Sequence, residues 1–145
     1  MEPIKKILIP TDGSENTKPA VARGLELAKL MNAEVTALHV IDLTSFVGFS
    51  DGLALPNLLP TLKKEGQIAV DYVRKEGDKL GVKVITHVME SGSPANQIVD
   101  VSKDYDLIVM GSLGRTGMSH LLLGSVAERV VRHAACPVLV VRATP

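Results

Sequence analysis

The alternation of two hydrophobic periods along the chain constrains its fold more than any other feature. Short β-branched runs occupy Ile4–Pro10, Glu34–Ile41, Val82–Met89, Asp106–Met110 and Pro137–Arg142. Helical spacing fills the intervals between them. A chain that alternates strand and helix has one economical solution, an open α/β fold with a parallel sheet, helices on both faces and right-handed crossovers. Ile7-Leu8-Ile9 and Leu107-Ile108-Val109-Met110 are apolar without interruption. Such runs predict strands covered on both faces.

The helices carry their own punctuation. Val21, Leu25 and Ala28 share one helical face. A second helix is predicted over Thr61–Leu80, with Ile68, Tyr72, Lys75 and Lys79 at helical spacing and Gly81 as its C-terminal cap. Ser93-Pro94 reads as an N-cap followed by a proline at the first helical position. A fourth helix is predicted from Gly124 to His133, with Ala127, Val130 and Ala134 on one side.

The 145 residues suit a single domain spanning 1–145, since a chain of this size buries roughly 70% of its unfolded surface. Aromatic residues are only 3% and Trp is absent, so the core is aliphatic and little is available for stacking on bases. Lys plus Arg and Asp plus Glu are balanced at 16 each, which argues against a nucleic-acid binder driven by phosphate neutralisation. One cysteine, Cys136, leaves no disulfide framework and no cysteine metal site. It reads as a small apolar residue beside Pro137. No apolar run reaches the roughly 18 residues of a membrane span, and the start Met1-Glu2-Pro3 shows no leader, so the predicted location is the cytoplasm.

One segment breaks the alternation. Asp42–Pro60 reads as a long connection without periodicity, and it holds both phenylalanines, Phe46 and Phe49, among several leucines. Connections of this length are usually functional or disordered. The reading here is a flap or a partner surface across Phe46–Leu59, with an inert lid as the bland alternative.

The strongest chemical signal is Met110-Gly111-Ser112-Leu113-Gly114-Arg115-Thr116-Gly117, followed by Leu123-Gly124-Ser125-Val126. It begins where a strand ends and finishes where a helix begins. Glycines let backbone approach a ligand closely, and loop amides can point at phosphate oxygens. The helix start adds unpaired N–H groups and the positive end of a dipole, and Ser125 offers a hydroxyl. The competing reading is a plain glycine-rich turn. The pattern is neither a Walker A loop nor a dinucleotide fingerprint. The second signal is Pro10-Thr11-Asp12-Gly13-Ser14 at the end of the first strand. Asp12 suits ribose hydroxyls or a phosphate-bound cation, and it suits an Asx turn or helix cap equally.

The spacing Gly111-x2-Gly114-x9-Gly124-Ser125 resembles the phosphate-binding motif of the universal stress protein family, in its ATP-binding branch. Ile7–Ser14 and Cys136–Val141 are similar to that family's first and last strands, so the resemblance covers essentially the whole chain. It implies a five-stranded parallel sheet in the order 3-2-1-4-5 and a homodimer. It also implies roles for particular residues. Asp12 would contact the ribose of ATP, and the main chain at Val40, with Pro10 and Thr11 nearby, would border the adenine. Met110 and Gly111 would line the floor, Gly114, Gly124 and Ser125 would hold the phosphates, and Val126 would add a main-chain contact. Mg²⁺ or Mn²⁺ would be bound through the phosphates.

Other signals compete less well. Gly48-Phe49-Ser50-Asp51-Gly52 matches a nucleophile elbow in letters but lies inside the irregular connection, not between a strand and a helix. His39, His87, His120 and His133 show no metal-site spacing. His39 and His87 read as satisfied or exposed strand residues, and His120 is near enough to the glycine loop to touch phosphate. A receiver domain would need clustered acids after the first strand, where Asp12 stands alone. A flavodoxin-like FMN binder would need its phosphate loop there, with flanking aromatics. No general base or arginine finger is evident in the loop, so no catalytic residue and no protein metal ligand is assigned. The sequence therefore favours a binding or signalling module over a slow ATPase or autophosphorylating enzyme. Its partners would be an adenine nucleotide, an unidentified protein, and a second copy paired through the last strand, Val138–Arg142. That strand is apolar, and only Ala143-Thr144-Pro145 follows it. An uncovered apolar edge invites such pairing.

Overall fold

The central strands are built from residues that bury alternately on opposite sides. In the computed structural model, which describes residues 2–43, 54–90, 92–115, 117 and 122–143, β1 (Lys6–Pro10) and β4 (Leu107–Gly111) lie side by side and parallel. Ile7 pairs with Leu107 and Leu8 with Ile108. Ile7, Ile9, Leu107 and Val109 enter one apolar core, while Leu8, Ile108 and Met110 enter the other. These continuous apolar runs are thus explained, since both faces of each strand need cover. β2 (Glu34–Val40) and β3 (Val84–Met89) continue the sheet beyond β1, and β5 (Val138–Val141) flanks β4. The order is β3-β2-β1-β4-β5, all parallel.

Two helices cover each face. α1 (Lys18–Met31) buries Val21, Leu25 and Ala28, and α2 (Ala54–Leu80) buries Val70 and Val73, all in the first core. α3 (Pro94–Val101) contributes Ile98 and α4 (Ser125–His133) contributes Ala127 and Val130 to the second. The predicted punctuation is present. Ser93 Oγ accepts from the amide of Asn96, Pro94 opens α3, and Gly81 sits at φ 73° just past α2. No helix among the described residues is long and apolar enough to cross a membrane.

α2 departs from its sequence-predicted form in two ways. It begins at Ala54, not Thr61, so the last part of the Asp42–Pro60 connection, Ala54–Pro60, is helical. Inside a helix a proline removes its own N–H from the ladder and crowds the carbonyl four residues earlier, yet α2 runs through Pro60. The face is also different. Ile68 is 62% exposed, and the buried stripe is Gly66, Ala69, Val70, Val73 and Gly77. Small residues give a weak hydrophobic signal, yet they allow a helix to lie close on its sheet. A Cβ at Gly66 would stand 2.7 Å from His39 Cδ2. The Gly48–Gly52 elbow-like sequence, both phenylalanines and His120 lie outside the described residues, and with them most of the predicted flap.

Candidate functional site

The order β3-β2-β1-β4-β5 reverses direction at β1, because the chain extends to one side through β2 and β3 and then crosses to β4. Loops leaving β1 and β4 diverge at that point and leave a crevice at the carboxyl ends of the strands. A cleft of 510 Å³ occupies it. Its walls include all ten residues singled out from the sequence: Pro10, Thr11, Asp12, Val40, Met110, Gly111, Gly114, Gly124, Ser125 and Val126. Residues from three strand ends and one helix start therefore meet on a single surface. The volume is within the range of small-molecule sites.

The β1 loop is shaped by its own side chains. Asp12 Oδ1 accepts from the amide of Ser14 at 2.9 Å, so the Asx turn foreseen for this residue forms. One carboxylate oxygen serves the turn, and the other, Oδ2, stands 3.0 Å from where a Cβ on Gly114 would be. Gly114 thus brings the β4 loop against Asp12. Thr17 Oγ1 donates to the Ser14 carbonyl at 2.8 Å, which uses its one proton. In the 3.1 Å pair between Thr11 and Thr17 the donor is therefore Thr11, whose oxygen also accepts from the amide of Gly13.

The β4 loop meets the start of α4. The Gly124 amide donates to the Ser112 carbonyl at 2.7 Å, and the Glu128 amide donates to Gly124, which opens the helix. Gly124, the N-cap residue, has no side chain to cap this end. The first amides of α4, on Ser125, Val126 and Ala127, have no partner one turn earlier within the helix, and these three residues line the cleft. Uncapped amides and the positive end of the helix dipole create a place for an anion. A Cβ on Gly124 would lie 3.4 Å from the Ser112 carbonyl oxygen and 3.9 Å from the Gly114 amide, so a side chain here would stand against the loop backbone without forcing it apart.

Several lining residues were not singled out from sequence. His39 is buried on β2, and its Nδ1 lies 2.9 Å from the Thr11 carbonyl. A carbonyl only accepts, so Nδ1 carries the proton and the ring braces the β1 loop. This is the satisfied strand histidine foreseen, whereas His87 is exposed on β3. Leu62 and Glu65 of α2 form one wall and Pro94 and Ile98 of α3 another. Arg115 donates to the Asp12 carbonyl at 2.7 Å and approaches Glu65 Oε2 at 3.8 Å. None of these follows a local pattern. Their common signal is proximity to strand ends, which becomes visible only once strand order is known.

The acids Asp12, Asp42 and Glu65 line the cleft, yet no cluster of three potential metal-ligating side chains occurs among the described residues. Among the described residues, no Phe, Tyr or Trp lines it. Cys136 lies apart from it, half-buried against the second core. Burial first, and the charge of Asp106 second, hold its thiol above the usual range and keep it in the unreactive form.

Comparison with known proteins agrees with this architecture. Residues 3–142 match the model of the universal stress protein family. The universal stress protein MJ0531 of Methanocaldococcus jannaschii is 47% identical over 140 residues, covering 95% of this chain and 82% of that protein. The solved structure of hypothetical protein MJ0577 superposes with a TM-score of 0.86 at 34% identity, over 99% of both chains. A universal stress protein from Archaeoglobus fulgidus, solved in complex with dAMP, shares the fold at a TM-score of 0.64 and 21% identity, over 96% of this chain and 98% of that one.

Proposed function

The chain belongs to the universal stress protein family, and on that premise we propose that it is a cytoplasmic adenine-nucleotide-binding module of the stress response, with ATP as its ligand. The observation that carries this reading is convergence. The glycine motif, Asp12 and the strand-end residues Pro10, Thr11 and Val40 share one cleft, into which the uncapped start of α4 is built. A dAMP complex in a protein of the same fold is consistent with that ligand class.

In this reading Gly114, Gly124 and Ser125 hold the phosphates, with the α4 amides supplying hydrogen bonds and dipole. Asp12 takes the ribose hydroxyls through the carboxylate oxygen that the turn leaves available. The main chain at Val40, with Pro10 and Thr11, borders the adenine, Met110 and Gly111 form the floor, and Val126 adds a main-chain contact. The donor set suits a metal that arrives with the nucleotide, since the acids around the cleft are not gathered into a protein metal site. Mg²⁺ or Mn²⁺ bound through the phosphates would offset their charge against Asp12, Asp42 and Glu65. Occupancy would then be read by a protein partner or by a homodimer formed through Val138–Arg142.

Calorimetric titration with ATP and with FMN tests the assignment. ATP should bind and FMN should not, because the phosphate loop follows β4, not β1, and no Phe, Tyr or Trp among the described residues lines the cleft. Gly124→Val should abolish ATP binding while circular dichroism shows the fold intact, because a Cβ here meets the loop backbone only at ordinary contact distance and a branched side chain at the helix start would compete with the phosphates for space. Unchanged affinity in that variant would remove the loop from the site. Phosphate release by highly purified protein would move the reading from a module to an enzyme.

A further inference from the structure

Arg115 is the one cationic side chain among the described residues lining the cleft, against three carboxylates. It follows Gly114 directly in the glycine loop. One guanidinium N–H is committed to the Asp12 carbonyl at 2.7 Å, which anchors the group across the opening between the β1 and β4 loops. Its other nitrogen stands 3.8 Å from Glu65 Oε2, too far for a hydrogen bond. Both side chains are well exposed, Arg115 at 62% and Glu65 at 50%, so this ion pair is weak and easily exchanged.

Exposure separates Arg115 from the inner α4 amides. Val126 is half-buried and Ala127 is buried at the helix start, where the phosphate nearest the nucleoside would sit. The Arg115 side chain is 62% exposed and faces solvent. An outer phosphate extending from the inner one would meet a planar fork of donors that is positioned by a backbone carbonyl but poorly satisfied by Glu65. Guanidinium binds phosphate through paired charge-assisted hydrogen bonds, which outcompete a long contact with an exposed carboxylate.

Resting on the nucleotide-binding reading, we infer that Arg115 is the specificity residue for the outer phosphates, distinguishing a nucleoside triphosphate from a monophosphate, and that Glu65 competes with those phosphates for it. Arg115 stays anchored on Asp12 and turns its remaining donors from Glu65 to the ligand. Glu65, on α2, is released when the triphosphate binds. An adenosine monophosphate does not reach Arg115, so it leaves the Arg115–Glu65 pair in place.

The test is calorimetric titration of the full chain with Mg²⁺-ATP and with AMP, for wild type, Arg115→Gln, Arg115→Lys and Glu65→Gln. Loss of charge-assisted hydrogen bonds in Arg115→Gln should weaken ATP about tenfold. AMP should lose clearly less than ATP, since loss of the Asp12 anchor is common to both ligands and only ATP also loses the phosphate contact, so the ATP-to-AMP ratio is the readout. Arg115→Lys should recover part of the ATP affinity, because a point charge remains without the fork. Removal of the competing carboxylate in Glu65→Gln should tighten ATP about threefold and leave AMP unchanged. AMP binding serves as the fold control within each variant. If Arg115→Gln weakens ATP and AMP equally, or if the ATP-to-AMP ratio is unmoved in both Gln variants, the inference is overturned while nucleotide binding stands. If wild type binds neither nucleotide, the underlying reading is overturned as well.

Discussion

Asn16 donates its side-chain amide to the carbonyl of Gly114 at 2.8 Å, across 98 positions of sequence. Arg115 returns the gesture by donating to the carbonyl of Asp12. The β1 and β4 loops are thus joined by two reciprocal side-chain-to-backbone bonds. The Gly114 carbonyl also accepts from the amide of Gly117 at 3.1 Å, closing a turn. Gly117 has φ 51°, and a Cβ there would lie 2.6 Å from Asn16 Nδ2, so the turn needs glycine both for its backbone and for the space beside Asn16.

This clamp predicts a positioning role for Asn16. Asn16→Ala should cost about 1 kcal/mol of stability, the net worth of one hydrogen bond. It should also weaken ATP and AMP in parallel by severalfold, because the whole loop loses its register. Asn16→Asp should be worse, since a carboxylate would face the Gly114 carbonyl. Nucleotide titration beside urea denaturation checks both, and a selective loss of ATP alone would contradict the clamp.

Much of this was legible in the residues. Ile7-Leu8-Ile9 and Leu107–Met110 announce buried strands because every side chain is apolar, and neighbouring residues do enter opposite cores. Gly111, Gly114, Gly124 and Ser125 announce a loop by their spacing. Asn16 and Glu65 announce nothing, and the partners of His39 and Arg115 were hidden too, because they are brought close by the sheet order and not by sequence. A bond spanning 98 or 103 positions has no local signature. The buried face of α2 was hidden for another reason. Gly66, Ala69 and Gly77 serve packing by being small, whereas a search for hydrophobic period favours Ile68, which faces solvent.

Gly66 yields a prediction opposite in sign to helix propensity. Glycine to alanine inside a helix normally stabilises by about 1 kcal/mol. Here the new methyl would stand 2.7 Å from His39 Cδ2 and 3.1 Å from Val88 Cγ1. The imidazole would have to leave the Thr11 carbonyl that it braces. Gly66→Ala should therefore destabilise by about 1–3 kcal/mol, the usual cost of overpacking. In a His39→Ala background the same substitution should cost much less, because the ring is gone. Denaturant midpoints for the four proteins of the cycle decide it, and equal penalties in both backgrounds would show that the imidazole is not the obstacle.

Asp106 predicts a pH dependence. Its Oδ2 accepts from the amides of Lys5 and Lys6, each at 2.9 Å, where β1 and β4 begin to run together. Those two bonds, Lys5 first and Lys6 next, hold its carboxyl below the ordinary carboxylate range. A carboxyl with a depressed folded-state pKa stabilises above its unfolded value, and that stabilisation is lost as pH falls through the folded value. Asp106→Ala should melt at a lower temperature than wild type at neutral pH. The gap should narrow once pH drops below about 4, the unfolded aspartate value. Thermal melts from pH 7 to pH 3 provide the check; a constant gap would mean that the charge is not what the two amides need.

The last prediction concerns β5. In the observed sheet order it stands at one edge, paired on one side with β4 through Ile108–Val138 to Gly111–Val141. Leu139 is 38% exposed, and Val138, Val140 and Val141 are only half-buried. A buried strand would hide such residues, and a lone edge strand usually carries charge or proline along its length. Here Arg142 marks only the end. Pairing with the same strand of a second copy would satisfy the open backbone groups of both and bury both apolar rows in an isologous contact. Val140 stands opposite Met110 in the register, and the carbonyls of Pro137 and Val141 accept from β4 and the residue after it, so in the parallel ladder the backbone groups of Val140 face the open edge. Val140→Lys places a charge in the proposed contact and should shift the protein towards monomer. Because the same charge could also loosen the second core, Leu139→Lys, at the more exposed neighbour, serves as the companion variant. Sedimentation at several concentrations should show a wild-type dimer and two weakened variants. A wild-type chain that stays monomeric at high micromolar concentration would leave the edge unpaired and the dimer without support.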